Sequence, residues 1–193
     1  LVSDHGQLDM KRVVNINTLL AALGWLDTDR AGGVRDWNAW AISSGFSSFV
    51  VLRDPYDEAF KKEVERTLRG MAEDGLCGFG DILNEAQAKE RYGLWGPFSF
   101  VIETDGFTGF GDEYRHPSIA RCRDISDYRQ GWATHGHMPE KGPQPVFCAK
   151  GPAFRENVVG KRGKICDLAP TLAKAMGIPF FACDGQALGE LLK

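Results

Sequence analysis

Apolar residues in this 193-residue chain fall alternately into strand-length runs and helix-length stripes. That alternation restricts it to a layered α/β fold. Residues 16–23 have helical spacing and stop at Gly24, a normal C-terminal helix signal. Residues 39–42 and 48–52 read as strands joined by a turn at Ser43-Ser44-Gly45. After Asp54-Pro55 an amphipathic helix runs to about Glu73, with Phe60, Val64, Leu68 and Met71 along one face and solvated charges opposite. A shorter helix over 85–92 ends at Gly93, and a strand follows over 98–103. Residues 1–3 read as the end of a buried strand and 145–149 as another strand. A helix over 167–176 stops at Gly177, and 187–192 form a closing helical turn. The polar, Gly-containing stretch 27–35 reads as loop, as does 104–145, which is rich in Gly, Asp, Pro and His. A loop of that length is uncommon in a compact domain unless it serves a function.

Composition narrows the function classes. Hydrophobic residues make up 43% and charged residues 25%, an ordinary globular balance that excludes a disordered tail or a collagen-like chain. Lys and Arg total 23 against 26 Asp and Glu, a net charge of −3, so no basic excess supports a nucleic-acid-binding surface. The longest apolar stretches, 49–52 and 178–183, fall far short of the ~20 residues a membrane helix needs, so no membrane partner is expected. Cys77, Cys122, Cys148, Cys166 and Cys183 are odd in number and widely spaced, which suits neither a disulfide framework nor a structural zinc site. They read as mostly buried, reduced thiols, a pattern that favours the cytoplasm.

Three short motifs carry chemistry. Asp4 and His5 place a carboxylate beside an imidazole at a strand end, donors that suit zinc, manganese or iron. Adjacent side chains on a regular strand point opposite ways, so both reach one ion only where the strand breaks, and Gly6 supplies that freedom. The second motif is Thr134-His135-Gly136-His137. The third is Asp167-Leu168-Ala169-Pro170-Thr171-Leu172, where Asp167 suits a helix N-cap and the Leu and Ala residues suit a core. Alone, each also reads as an ordinary polar loop or helix start.

Together and in this order, with Lys150-Gly151-Pro152 and Asp184-Gly185 at their places, these pieces resemble the alkaline phosphatase superfamily, and most closely its type I phosphodiesterase and nucleotide pyrophosphatase family. The resemblance covers both ends of the chain, while 25–130 match loosely. It implies an α/β, alkaline-phosphatase-like core formed by 1–29 and 106–193, with 30–105 inserted as a smaller α+β lobe. It also implies two divalent metal ions, zinc before manganese or iron, and a small-molecule phosphate ester or nucleotide as substrate. Asp4 and His5 would hold the ion that activates a Thr or Ser nucleophile, and His135 the other. His137 stands where the family often has Tyr and is not assigned as a ligand.

The family's nucleophile, a first-strand Asp and an Asp-x-x-x-His pair normally lie upstream of Asp-His-Gly. No catalytic nucleophile is therefore assigned here. The chain opens at Leu1 without an initiator Met and reads as the C-terminal part of a longer protein. Asp112 and His116 have the Asp-x-x-x-His spacing but the wrong order. With two ligands for one ion and one for the other, against the three a catalytic zinc usually takes, the chain alone is expected to bind metal weakly and to hydrolyse nothing. Competing readings are a sulfatase, a phosphonate or phosphomonoester hydrolase, a phosphosugar mutase, or a non-catalytic binding domain that keeps the fold. A homo-oligomer is compatible with all of them. The lobe's aromatics Trp37, Trp40, Phe46, Phe49, Trp95 and Phe98 read first as its core, and otherwise as a stacking surface for a nucleobase.

Overall fold

A computed structural model of the chain describes residues 1–121 and 133–193. The architecture is mixed α/β, with small sheets and four α-helices among the described residues. The chain divides into two compact units, His5–Gln144 and Leu1–Asp4 with Pro145–Lys193.

The larger unit is built on an antiparallel four-stranded sheet. Its strands are β5 (Ala39–Ser43), β6 (Ser47–Leu52), β7 (Phe79–Asn84) and β8 (Phe100–Thr104), in the order β5-β6-β8-β7. Alternate side chains of a strand leave by opposite faces, so each face has its own core. One face carries Ala39, Ala41, Val50, Leu52, Phe100 and Ile102. It packs on Val64 and Leu68 of helix α2 (Glu58–Asp74) and on Ile16 and Leu20 of helix α1 (Ile16–Ala22). The other face carries Leu83 and Val101, which pack with Phe98, Met138 and Ala88 of helix α3 (Glu85–Tyr92).

Helix ends follow local chemistry. Asp57 caps α2 by accepting from the Ala59 and Phe60 amides at 3.1 and 3.0 Å. Asn84 and Gln87 form a reciprocal capping box on α3, which ends on Gly93 at φ +64°. The helix expected over 85–92 is present with those bounds, and the 39–52 hairpin is present as β5 and β6.

Several loop expectations are corrected. Within 27–35 the chain forms most of a small hairpin, β3 (Leu26–Thr28) against β4 (Val34–Trp37). The long loop contains β9 (Thr108–Gly111), β10 (Ile119–Arg121) and β11 (Ala133–Thr134), while 122–132, with Cys122, lie outside the described residues. β9 runs parallel to β2 (Arg12–Asn15), β10 pairs antiparallel on its other side, and β11 pairs with β1 (Leu8–Asp9). Strands of two to four residues leave no periodicity to read, because their partners lie far away in the sequence.

In the smaller unit Val2 and Phe147 form a single antiparallel bridge, and Leu1 and Val2 are exposed rather than buried. Helix α4 (Leu168–Ala175) follows a tight turn over Ile165–Asp167. Asp167 precedes the helix, yet its carboxylate does not cap it. It accepts instead from the Lys164 and Gln186 amides at 2.7 and 2.8 Å, tying two loops together. Those bonds hold its carboxyl below the ordinary aspartate range, the Gln186 amide foremost. The described cysteines are unpaired, as read, but Cys148, Cys166 and Cys183 are exposed rather than buried. Among the described residues no helix is long and apolar enough to cross a membrane.

Candidate functional site

His5 lies on the segment entering β1, and His135 directly follows β11. Because β1 and β11 pair antiparallel, with Leu8 opposite Thr134, two histidines 130 positions apart are delivered to one place. Their rings stack with centroids 4.0 Å apart and planes inclined by 28°. The His5 Nδ1 lies 3.0 Å from the Gly6 carbonyl oxygen. A carbonyl only accepts, so His5 donates from Nδ1 and, in the neutral ring, carries its lone pair on Nε2. A backbone carbonyl orients metal-binding histidines in the same way.

Three glycines make this approach possible. A Cβ on Gly136, at φ +86°, would stand 1.7 Å from the Ser44 carbonyl oxygen. One on Gly45 would stand 2.3 Å from the His135 carbonyl oxygen, and one on Gly6 would stand 2.0 Å from that of Pro143. Gly6 is therefore required for space. It has no positive φ, which corrects the expectation that its backbone freedom is what matters. The tip of the β5–β6 hairpin is thus pressed against the histidine loop, and the Phe46 amide donates to the His135 carbonyl at 2.8 Å.

Asp112, His116 and His137 make their contacts with other groups. Asp4 is one peptide bond from His5 and belongs to the smaller compact unit. Asp112 accepts from the Ser43 amide at 2.5 Å and so secures the hairpin turn, while His116 Nδ1 lies 3.3 Å from the Ser118 hydroxyl. His137 sits edge-on to Phe46, with its Nε2 3.4 Å from the Pro143 carbonyl oxygen.

Imidazole nitrogens suit a divalent transition metal, and two of them stand side by side here. Among the described residues, however, no group of three or more His, Cys, Asp or Glu side chains is gathered as an ion would require. The ring geometry adds a constraint. An imidazole binds an ion in its own plane at about 2.0–2.1 Å from nitrogen. Two stacked, nearly parallel planes share no point at that reach from both rings, so in this arrangement each ring would serve its own ion.

Sequence reasoning missed Glu103 and Ser47, which hold the histidine loop from below. Glu103 accepts from the Met138 amide at 3.1 Å and lies 2.6 Å from the Ser47 hydroxyl, which also contacts the Gly136 carbonyl. The available signal was a charge at the end of the apolar run Phe100-Val101-Ile102. Of the six aromatics, Phe46 and Phe98 are buried as read, and Trp37, Trp40 and Phe49 are partly buried against the cores. Trp95 is a correction: it is 81% exposed. With Ile42, Phe49, Val51, Leu94 and Phe98 it lines an apolar cleft of about 240 Å³. No protein-family model matches this chain, and no curated protein matches its sequence.

Proposed function

We propose that this chain carries part of a two-metal phosphoryl-transfer site of the alkaline-phosphatase type, hydrolysing phosphodiesters or pyrophosphates of small molecules, nucleotides among them. The observation that supports this reading best is the stacked His5–His135 pair. Motifs at opposite ends of the long intervening segment meet, and their ring planes suit two neighbouring ions better than one. His5 would hold one ion through Nε2, with Nδ1 engaged by the Gly6 carbonyl, and the resemblance assigns Asp4 to that same ion. His135 would hold the other. Paired divalent ions, when bound, stabilise the charge on the attacking and leaving oxygens of an in-line displacement. The nucleophile is a Thr or Ser that the resemblance places ahead of Asp4. The same reading assigns 1–29 and 106–193 to the metal-binding core and 30–105 to a lobe that shapes substrate choice.

The test uses the product of the uninterrupted reading frame that encodes these residues. Zinc binding by calorimetry and hydrolysis of bis(p-nitrophenyl) phosphate are measured for the unaltered protein and for His5→Ala and His135→Ala. The expected result is zinc-dependent diester hydrolysis that either substitution reduces by at least about 100-fold. A protein that binds no zinc, or whose activity survives both substitutions, overturns the proposal. Preference for p-nitrophenyl sulfate or phosphate over the diester moves the chemistry to the sulfatase or monoesterase branch and overturns the diester assignment.

A further inference from the structure

Glu103 closes β8 and is 1% exposed, among the least accessible side chains described. Its register partner across the sheet is Ser47, and the two side chains meet, with Glu103 Oε2 2.6 Å from Ser47 Oγ. Ser47 Oγ also touches the Gly136 carbonyl oxygen. A hydroxyl has one proton to give, and here it faces two oxygens that both accept if Glu103 is ionised. A proton on Glu103 Oε2 satisfies every group in the row. Glu103 then donates to Ser47, and Ser47 donates to Gly136. The other carboxyl oxygen, Oε1, accepts from the Met138 amide at 3.1 Å.

Lys141 and His137 are the charged and titratable groups that face Glu103. Lys141 Nζ lies 3.8 Å from Oε1 but makes its close bond to the Thr104 carbonyl, at 2.6 Å. Burial, the foremost influence, pushes the Glu103 carboxyl up from the ordinary range, against the opposite pull of the Met138 amide, Lys141 and His137.

We propose that Glu103 is the positioning residue of the histidine loop: as a neutral buried acid it holds Gly136 through Ser47 and Met138 directly, and so fixes where His135 stands. The segment after His135 is then anchored at both ends to one strand pair. Before it, the Phe46 amide holds the His135 carbonyl from the same hairpin. The importance of that placement rests on the reading of His135 as a site residue, but its test does not require a bound ion.

The experiment compares Glu103→Gln, Glu103→Ala and Ser47→Ala in metal-free protein, following the ring Cε1–Hε1 NMR signals of the four histidines. A glutamine amide donates to Ser47 and accepts from Met138, as the neutral acid does, so Glu103→Gln is expected to leave the His5 and His135 signals in place. Glu103→Ala and Ser47→Ala are expected to move both as the stacked pair separates, with the His116 signal unchanged. Leu68→Ala, a core cavity on the opposite face of the sheet, serves as the control for destabilisation alone and is expected to move neither. Glu103→Ala is also expected to weaken zinc binding about 10–100-fold, with Glu103→Gln restoring it. Should Glu103→Ala not fold, Ser47→Ala, which removes one hydroxyl, decides the matter. Unmoved His5 and His135 signals in a folded Glu103→Ala or Ser47→Ala protein overturn the proposal. So does a Glu103→Gln protein that behaves like Glu103→Ala. A protein in which the ring signals move as expected but no zinc binds keeps this inference and defeats the metal reading.

Discussion

Replacing Gly136 by alanine would put a methyl carbon 1.7 Å from the Ser44 carbonyl oxygen, at a backbone φ of +86°. Two costs follow. An L-residue in the left-handed region loses about 1–2 kcal/mol relative to glycine. Ordinary contact begins near 3.4 Å, so the hairpin tip and the histidine loop must also separate by a further 1.7 Å or so. That movement stretches the Phe46-to-His135 backbone bond, now 2.8 Å, and the Ser47-to-Gly136 bond beyond useful length. At about 1 kcal/mol net for each, the expected loss is about 3–4 kcal/mol, read as a lower urea midpoint at unchanged slope. Gly93→Ala is the matched control, because Gly93 also has a positive φ, +64°, but a Cβ there meets nothing within 4 Å. It should show only the conformational cost of about 1–2 kcal/mol. If Gly136→Ala costs no more than Gly93→Ala, the close approach of hairpin and loop is not what holds the histidines together, and the reasoning fails.

Other perturbations reach different parts of the molecule. The Asp167 carboxyl, held below its ordinary value of 3.8, stabilises the fold fully above that pH and loses the contribution as pH falls through its folded value. Asp167→Asn should therefore lower stability at neutral pH, and the gap to the unaltered protein should close on acidification below pH 3.8; a gap independent of pH refutes the assignment. Tyr92 donates to Glu140, which pushes its phenol up to about 12. Ultraviolet titration should find one tyrosine ionising near 12, and Glu140→Gln should bring it down towards 10. Asn17 is fully buried and exchanges two 2.8 Å bonds with the Ala41 backbone at the edge of β5. Asn17→Ala leaves that amide and carbonyl without their partner, at an expected cost of about 2–4 kcal/mol by urea unfolding, whereas Trp95→Ala, at an exposed position, should stay within about 0.5 kcal/mol.

Much of the local structure was legible in the sequence because its causes are local. The stripe Phe60, Val64, Leu68 and Met71 and the stops at Gly24 and Gly93 act within a few residues, and the helices stand where those signals put them. The β5–β6 hairpin was legible for the same reason, its partners being joined by a short turn. At the candidate site the sequence supplied the residue types, His5, His135 and the glycine after each. Tertiary structure decided the rest. The parallel pairing of β2 with β9 and the meeting of β1 with β11 join segments about 95 to 125 positions apart, and no short window contains both partners. The exposure of Trp95, Cys148, Cys166 and Cys183 depends on which surfaces their elements find to cover, not on residue type. Glu103 is the sharpest case. A carboxyl at a strand end ordinarily faces water, and only the histidine loop lying across β6 and β8 turns it into a buried group with fixed partners. The sequence thus determined which side chains are available to the site, and long-range packing determined which of them meet. Burial and hydrogen-bond partnership are properties of the assembled neighbours and are carried by no single segment.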